Sequence, residues 1–203
     1  MNMIRSVCVY CGSSVGNGNA YMEAGRLLGS ELAAAGLRLV YGGGSKGVMG
    51  AVSDAARQAG GTVTGIIPRF LMNKESSESA LSALHETILT DTMHQRKHIM
   101  FERSDAFVAL PGGIGTLEEI VEIMTWAQLG HHRKPIVFAN VNGFWNPMLA
   151  LLDHMREAGF VHTTHLVAPI VVDELRGIIP AILAAAAKSP VDAEGAEAVI
   201  EKM

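Results

Sequence analysis

The chain has 203 residues, 49% hydrophobic and 18% charged, with a formal net charge of −4 and a mean hydropathy of +0.25. That length allows one large domain with a sizeable core, and the acidic balance excludes a general nucleic-acid binder, which would present a basic face. No apolar run is long enough to cross a membrane, and the opening MNMIRSVCVYCGSS lacks the small-residue cleavage site of a signal peptide, so a cytoplasmic protein is expected.

Strand-like and helix-like segments alternate along the chain. IRSVCVY (4–10) reads as a buried strand and CGSSVGNGN as the turn after it. A helix is expected over Ala20–Ala35, a strand over 37–41 and the turn GGGSKG, then a helix over Val48–Ala59 and a strand over 62–68. NKESSESALSA (73–83) is a polar, Ser-rich interruption suited to a lid or surface loop. ETILT (86–90) is a shorter strand, Met93–Arg103 a helix, DAFVALP (105–111) a strand, and Thr116–Leu129 a helix. A strand over 134–140, a helix over Pro147–Ala158, a strand over 165–172 and a helix over Glu174–Ala187 follow. Continuous Val, Ile and Leu runs mark strands buried on both faces. The expectation is therefore an α/β fold: a doubly wound, mostly parallel sheet, Rossmann-like, with helices on both faces. Residues 1–189 would form this nucleotide-binding domain, and 190–203 a peripheral acidic tail.

Ligands in such sheets bind beyond the carboxyl ends of the strands. Three glycine-bearing turns fall there: CGSS (11–14), GGGSKG (42–47) and PGGIGT (111–116). Gly42, Gly44 and Gly47 match G-x-G-x-x-G, but they sit on the second strand-to-helix turn, and Gly61–Ile66 supply no ribose-binding acid. A dehydrogenase reading is thereby disfavoured, and no Gly-Lys-Ser/Thr makes the turn a P-loop. In PGGIGTLEE, Pro111 stops a strand, the glycines permit close ligand approach, and a helix start offers free amides to a phosphate. Thr116-Leu117-Glu118-Glu119 also reads as a capping box, with Thr116 at the N-cap and Glu119 reaching back to it.

MHQRKH (93–98) places Arg96 and Lys97 side by side, either to clamp an anion or as a solvated helix face. His94 and His98 are four apart, but the two cations between them and the lack of a convincing acidic partner speak against a metal. His131 and His132 read as an exposed loop. Cys8 and Cys11 form C-x-x-C; a redox pair is one reading, but such cysteines need a helix N-terminus behind them, and small apolar residues suit this strand better.

Together these stretches resemble the Lonely Guy (LOG) family of cytokinin riboside 5'-monophosphate phosphoribohydrolases. The signature P-G-G-x-G-T-x-x-E stands at Pro111–Glu119, and CVYCGSS, LVYGGGSKGVMG, GIIPRFLMNKE, MHQRK, SDAFVALPGG and EIMTWAQLG are similar to family blocks, from about Val7 to Val172. The resemblance implies a modified Rossmann fold, a homodimer, and cleavage of the N-glycosidic bond of a nucleoside 5'-monophosphate without metal or organic cofactor. It implies Arg96 and Glu119 as the catalytic pair, and substrate contacts at Glu75, Arg96, Lys97, Gly113, Ile114, Gly115, Thr116, Leu117, Glu118, Glu119 and Thr125. Gly12, Ser13, Gly43, Gly44 and Gly112 would support the phosphate loop. Ile114 stands where an aromatic residue is common, and Glu78 competes with Glu75. The family's older label, lysine decarboxylase, finds no support, since Lys46 and Lys97 lie in phosphate-type contexts and nothing suggests a pyridoxal Schiff base. A non-catalytic nucleotide or cofactor carrier on the same fold, similar to the molybdenum-cofactor carriers, is the alternative. Apolar residues on more than one face around Trp126, Leu129 and Met93–Phe101 agree with a dimer whose sites lie near the interface.

Overall fold

The computed structural model describes residues 3–161 and 169–188. Among these the chain forms β1 (Ser6–Tyr10), α1 (Ala20–Ala34), β2 (Arg38–Tyr41), α2 (Gly47–Gln58), β3 (Val63–Pro68), α3 (Met72–Glu75), α4 (Glu78–Ser82), β4 (Glu86–Thr90), α5 (Met93–Glu102), β5 (Ala106–Ala109), α6 (Ile114–Gln128), β6 (Ile136–Ala139), α7 (Asn146–Glu157), β7 (Ile170–Val172) and α8 (Ile178–Lys188). The strands join in one sheet in the order β4-β3-β2-β1-β5-β6-β7, and every neighbouring pair is parallel. The expected doubly wound architecture is therefore present, parallel throughout.

The alternation of side chains along each strand divides the core in two. Val7 and Val9 of β1 face the layer built by α1, α2 and α8, with Leu28, Leu32, Val52 and Ile182 fully buried against them. Cys8 and Tyr10 face the other layer, with Met100 of α5 and Ile120 and Ile123 of α6. Burying each such aliphatic side chain contributes roughly 1.5–3 kcal/mol. Both winding directions start at the centre, so the β1 and β5 carboxyl ends form the switch point, where the two flanking helix layers part and leave a crevice.

Four expectations are corrected. The stretch 73–83 is not an open loop: α3 and α4 interrupt it, Ser77 accepts a hydrogen bond from the Ala80 amide as N-cap of α4, and Ser76 is buried. Helix α6 starts at Ile114 behind an N-cap at Gly113, two residues ahead of Thr116, so the Thr116–Glu119 capping box is not formed. The extended backbone of Gly113 ends the short turn 110–113 and starts the helix, and Glu119 is drawn to another partner. His132 is no exposed loop residue: it is buried, edge-on to Phe101 and Phe107. The final helix opens as a 3-10 turn at Leu175–Gly177 rather than an α-helix from Glu174. The first part of the expected strand 165–172 and the tail 190–203 lie outside the described residues. Among the described residues no helix is long and apolar enough to cross a membrane.

Candidate active site

The three glycine turns meet at one edge and are bonded together. The Gly12 amide donates to the Pro111 carbonyl at 3.1 Å, and the Met49 amide at the start of α2 donates to Gly12 at 3.2 Å. The Ser45 amide donates to the Glu75 carbonyl at 2.9 Å, which fastens GGGSKG to α3, and Lys46 Nζ donates to the Lys74 carbonyl at 2.8 Å. Gly47, at φ 57°, allows the second turn to lie directly on the backbone of Ser13 and Ser14, where a side chain would collide. The pattern G-x-G-x-x-G thus serves loop-on-loop packing here.

The cavity they enclose has a volume of about 290 Å³ and is lined by residues of β1, its following turn, α3, α5 and α6. Of the residues singled out in the sequence, Gly12, Ser13, Glu75, Arg96, Gly113, Ile114, Gly115, Thr116, Glu118 and Glu119 are brought to its wall. Gly43, Gly44, Gly112, Leu117, Lys97 and Thr125 are not in that wall, and neither is Glu78. Gly42 of the second turn and Cys11 of the C-x-x-C pair line it too, as do Met49, Leu71 and Met93, unnoticed in the sequence because they read as ordinary apolar positions. A larger surface hollow between α1 and α2, of about 560 Å³, is lined by mixed small and polar residues such as Arg26 and Gln58; none of the motif's catalytic candidates reaches it.

Helix α5 starts cleanly because Thr92 caps it, its hydroxyl accepting from the Gln95 amide at 3.1 Å. One turn further, Arg96 points into the crevice. Its Nη2 lies 3.4 Å from Glu119 Oε1, and both side chains are below a tenth exposed. Its Nη1 approaches Met93 Sδ at 3.8 Å. Arg96 Nε and Glu75 Oε2 are buried with no hydrogen-bond partner among the described residues. Two residues of the wall thus each hold one unmet polar atom just behind its surface, an arrangement that buried polar groups rarely keep without a reason.

Burial pushes the Glu119 carboxyl up from the usual carboxylate range to about 7, against the pull of Arg96 and with the help of Glu118 and Glu75. A carboxyl that is half ionised near neutrality can take or give a proton there. At the start of α6, Leu117 bonds back to the Gly113 carbonyl at 3.0 Å, so the amides of Ile114, Gly115 and Thr116 precede the first intrahelical bond and are free to receive an anion at the positive end of a 15-residue helix.

Lys97 is engaged: its Nζ bonds Glu118 and also Glu122 at 3.1 Å. Burial works against its charge, yet the two carboxylates raise its pKa above the usual lysine value. Thr125 is exposed, its hydroxyl donating to the Val121 carbonyl at 2.8 Å. Cys8 and Cys11 are buried free thiols that burial pushes up, which fits apolar strand residues and not reactive thiolates. His98 pairs with Glu102 at 3.2 Å, and among the described residues no group of three His, Cys, Asp or Glu is placed around a metal position.

Residues 49–182 match the family model described as "Possible lysine decarboxylase". The chain is 50% identical over 161 residues to the probable cytokinin riboside 5'-monophosphate phosphoribohydrolase LOGL9 of Oryza sativa subsp. japonica, covering 79% of this chain and 70% of that protein. It is 48% identical over 160 residues to the cytokinin riboside 5'-monophosphate phosphoribohydrolase LOG3 of Arabidopsis thaliana, covering 79% and 73%. Among solved structures it is similar to the molybdenum cofactor carrier protein MCP of Chlamydomonas reinhardtii, with a TM-score of 0.67 and 25% identity over 92% of this chain and 100% of that one. The molybdenum cofactor binding protein of Rippkaea orientalis shares the fold at a TM-score of 0.65 and 21% identity, over 91% and 98%.

Proposed function

The chain belongs to the Lonely Guy family of cytokinin riboside 5'-monophosphate phosphoribohydrolases, and on that premise we propose that it hydrolyses the N-glycosidic bond of a nucleoside 5'-monophosphate, a cytokinin riboside monophosphate or AMP, to free base and ribose 5-phosphate. The buried Arg96–Glu119 pair at the cavity wall carries the proposal. The bond between C1' and the base nitrogen breaks, the base leaves with the electron pair, and positive charge builds on the sugar, as in other glycoside hydrolyses. Glu119, beside the ribose, stabilises that charge and accepts a proton from the water whose oxygen bonds C1'. The base nitrogen takes up a proton as it departs. Arg96 holds Glu119 in place.

The free amides of Ile114, Gly115 and Thr116 receive the 5'-phosphate and anchor the reacting end. Arg96 and Glu75 line the same cavity, and ribose hydroxyls entering it would accept from the guanidinium and donate to the carboxylate. The reading needs no metal or organic cofactor. A Schiff-base lysine requires a lowered pKa, and Lys97 is shifted the other way, which disfavours decarboxylase chemistry.

The assembly we propose is a homodimer in the cytoplasm. Thr125 lies nine residues beyond Thr116 on α6, about 13 Å along the helix, and faces outward. A substrate contact by Thr125 is then made into the site of a second copy. Base release from AMP and isopentenyladenosine monophosphate, compared for wild type, Glu119→Ala and Arg96→Ala, tests the proposal. Loss of turnover in both folded variants is expected, and full activity in either would overturn the role assigned to that residue. A carrier on the same fold would bind nucleotide and release no base.

A further inference from the structure

Glu122 stands outside the signature and outside the cavity wall. Its Oε1 lies 3.1 Å from Lys97 Nζ, and Glu118, one turn earlier on α6, bonds the same ammonium. Glu119 lies between them in sequence but is turned about 100° around the helix, where it meets Arg96. Arg96 and Lys97 are likewise neighbours on α5. The two helices thus meet through two adjacent pairings, one inside the cavity and one beside it. The Lys97 side chain is 14% exposed, Glu122 23% and Glu118 51%. Glu122 is the inner link, and Glu118, which also lines the cavity, is the outer one. Farther along the pair of helices, Phe101 meets Trp126 edge-on at 4.9 Å, so the charged link sets the register at the site end.

We infer that Glu122 is a positioning residue: it anchors Lys97, and through the backbone of α5 it holds the adjoining Arg96 at the height that meets Glu119. Glu118 is the exchangeable half of the clamp. Partly exposed ion pairs add little to stability, so what this one supplies is geometry. The inference rests on the hydrolase reading of the site.

The charge around Glu119 supplies a readout that a merely structural role would not move. Arg96 and Lys97 face it from α5, Glu75 from α3, and Glu118 and Glu122 share its own helix. The nearby Cys8, Tyr10 and Cys11 of β1 are held neutral by burial. With Glu122 neutralised, Lys97 loses a counter-charge and its field favours the Glu119 carboxylate more strongly.

The experiment uses Glu122→Gln and Glu122→Asp in the full chain, with AMP and isopentenyladenosine monophosphate as substrates across pH 5 to 9. For Glu122→Gln, kcat is expected to fall about tenfold with KM within about twofold, and the acid limb of the rate profile to move down by ~0.5 pH unit. Glu122→Asp keeps the charge and shortens the reach, so it should lose several-fold in kcat with its limb at the wild-type pH; it carries the test if the Gln variant does not fold. Wild-type kcat in Glu122→Gln, or a loss of rate with the limb unmoved, would overturn the inference. A 13C carboxyl titration of Glu119 in wild type and Glu122→Gln reads the same displacement without turnover. A protein that releases no base from any nucleotide would sink the hydrolase reading, while the titration would still decide the positioning.

Discussion

Gly42 lies directly against the guanidinium of Arg96: a Cβ at that position would fall on Nη2 and come within 3.0 Å of Cζ. The end of β2 therefore shapes the space in which Arg96 reaches Glu119, although neither Gly42 nor β2 takes part in the chemistry proposed. Gly42→Ala is expected to displace the guanidinium. An arginine tip moves at little cost, so unfolding free energy should change by less than about 1 kcal/mol. A misplacement of about 1 Å at a reacting site costs on the order of 10²-fold, and kcat/KM should fall by that order. A Gly42→Ala enzyme with wild-type kcat/KM would show that the Arg96 position does not matter to the rate.

The pH profile should follow Glu119. Its carboxyl sits at about 7, raised by burial, and the mechanism needs the carboxylate. Activity is expected to rise with pH through that region and to fall tenfold per unit well below it. Arg96 opposes the shift, so its removal takes away a stabiliser of the charged form. Arg96→Ala should move the limb to higher pH in addition to lowering kcat, by roughly 10²–10³-fold for a lost charge stabiliser at the reacting centre. Arg96→Lys offers a single point charge in place of the fork and is expected to recover only part of the rate. A limb that stays near the ordinary carboxylate range in wild type would remove Glu119 from the rate-determining ionisation.

The architecture was legible in the sequence because glycines and prolines punctuate nearly every element and the strands are uniformly apolar. Pro68 ends β3 and Gly36 follows α1 at φ 68°. The site was legible as a set of loops, since strand ends converge on one edge in this fold class. The short helices α3 and α4, of four and five residues, are below the length at which a 3.6-residue period can be seen. The capping box was misread because a Thr-x-x-Glu pattern is satisfied equally by a cap and by a site whose Glu answers an arginine from another helix. Glu122 was missed for a similar reason: with Glu118 it makes an i,i+4 acidic pair, which on sequence alone is a solvated face. Only the packing of α5 beside α6 places Lys97 between the two.

The placement of Glu119 has a stability cost that can be measured. A carboxyl whose folded pKa is raised is most stabilising while protonated. The associated stability is present in full below the unfolded value of 4.5 and is lost as pH rises through about 7. At 1.36 kcal/mol per unit, the total is about 3 kcal/mol, of which roughly 2 kcal/mol falls between pH 5.5 and 8. Glu119→Gln keeps the shape of the neutral acid. Its unfolding free energy should decline less across that interval than that of wild type by about this amount, and it should exceed wild type at pH 8 while turnover is lost. Urea unfolding of both proteins at the two pH values checks it; equal pH slopes would show that Glu119 is not held neutral by the fold. Such an exchange of stability for function is common at active sites.

Helix α7 carries Met148, Leu149, Leu151, Leu152 and Met155 in twelve residues, yet none of its residues is buried. Leu151 is 46% exposed and Met155, one turn on, 38%, and Phe160 just beyond the helix is 80% exposed. On the same side of the sheet, α6 leaves Val121 39% and Leu129 60% exposed. Exposed apolar side chains on two helices of one layer are the kind of surface an interface covers. Sequence periodicity cannot separate a helix covered by its own chain from one covered by a partner; among the described residues α7 has no buried residue, whereas Met100 and Phe101 of α5 are buried. Because a two-fold interface presents the same patch from both copies, one charge placed in it is met twice. Met155→Glu or Leu151→Asp should therefore convert a dimer into a monomer in sedimentation or light scattering at micromolar concentration. If Thr125 reaches the partner's cavity across that face, dissociation should also raise KM, more than it alters the fold as read by circular dichroism. A wild-type chain that is monomeric at that concentration would refute both the interface and the shared site.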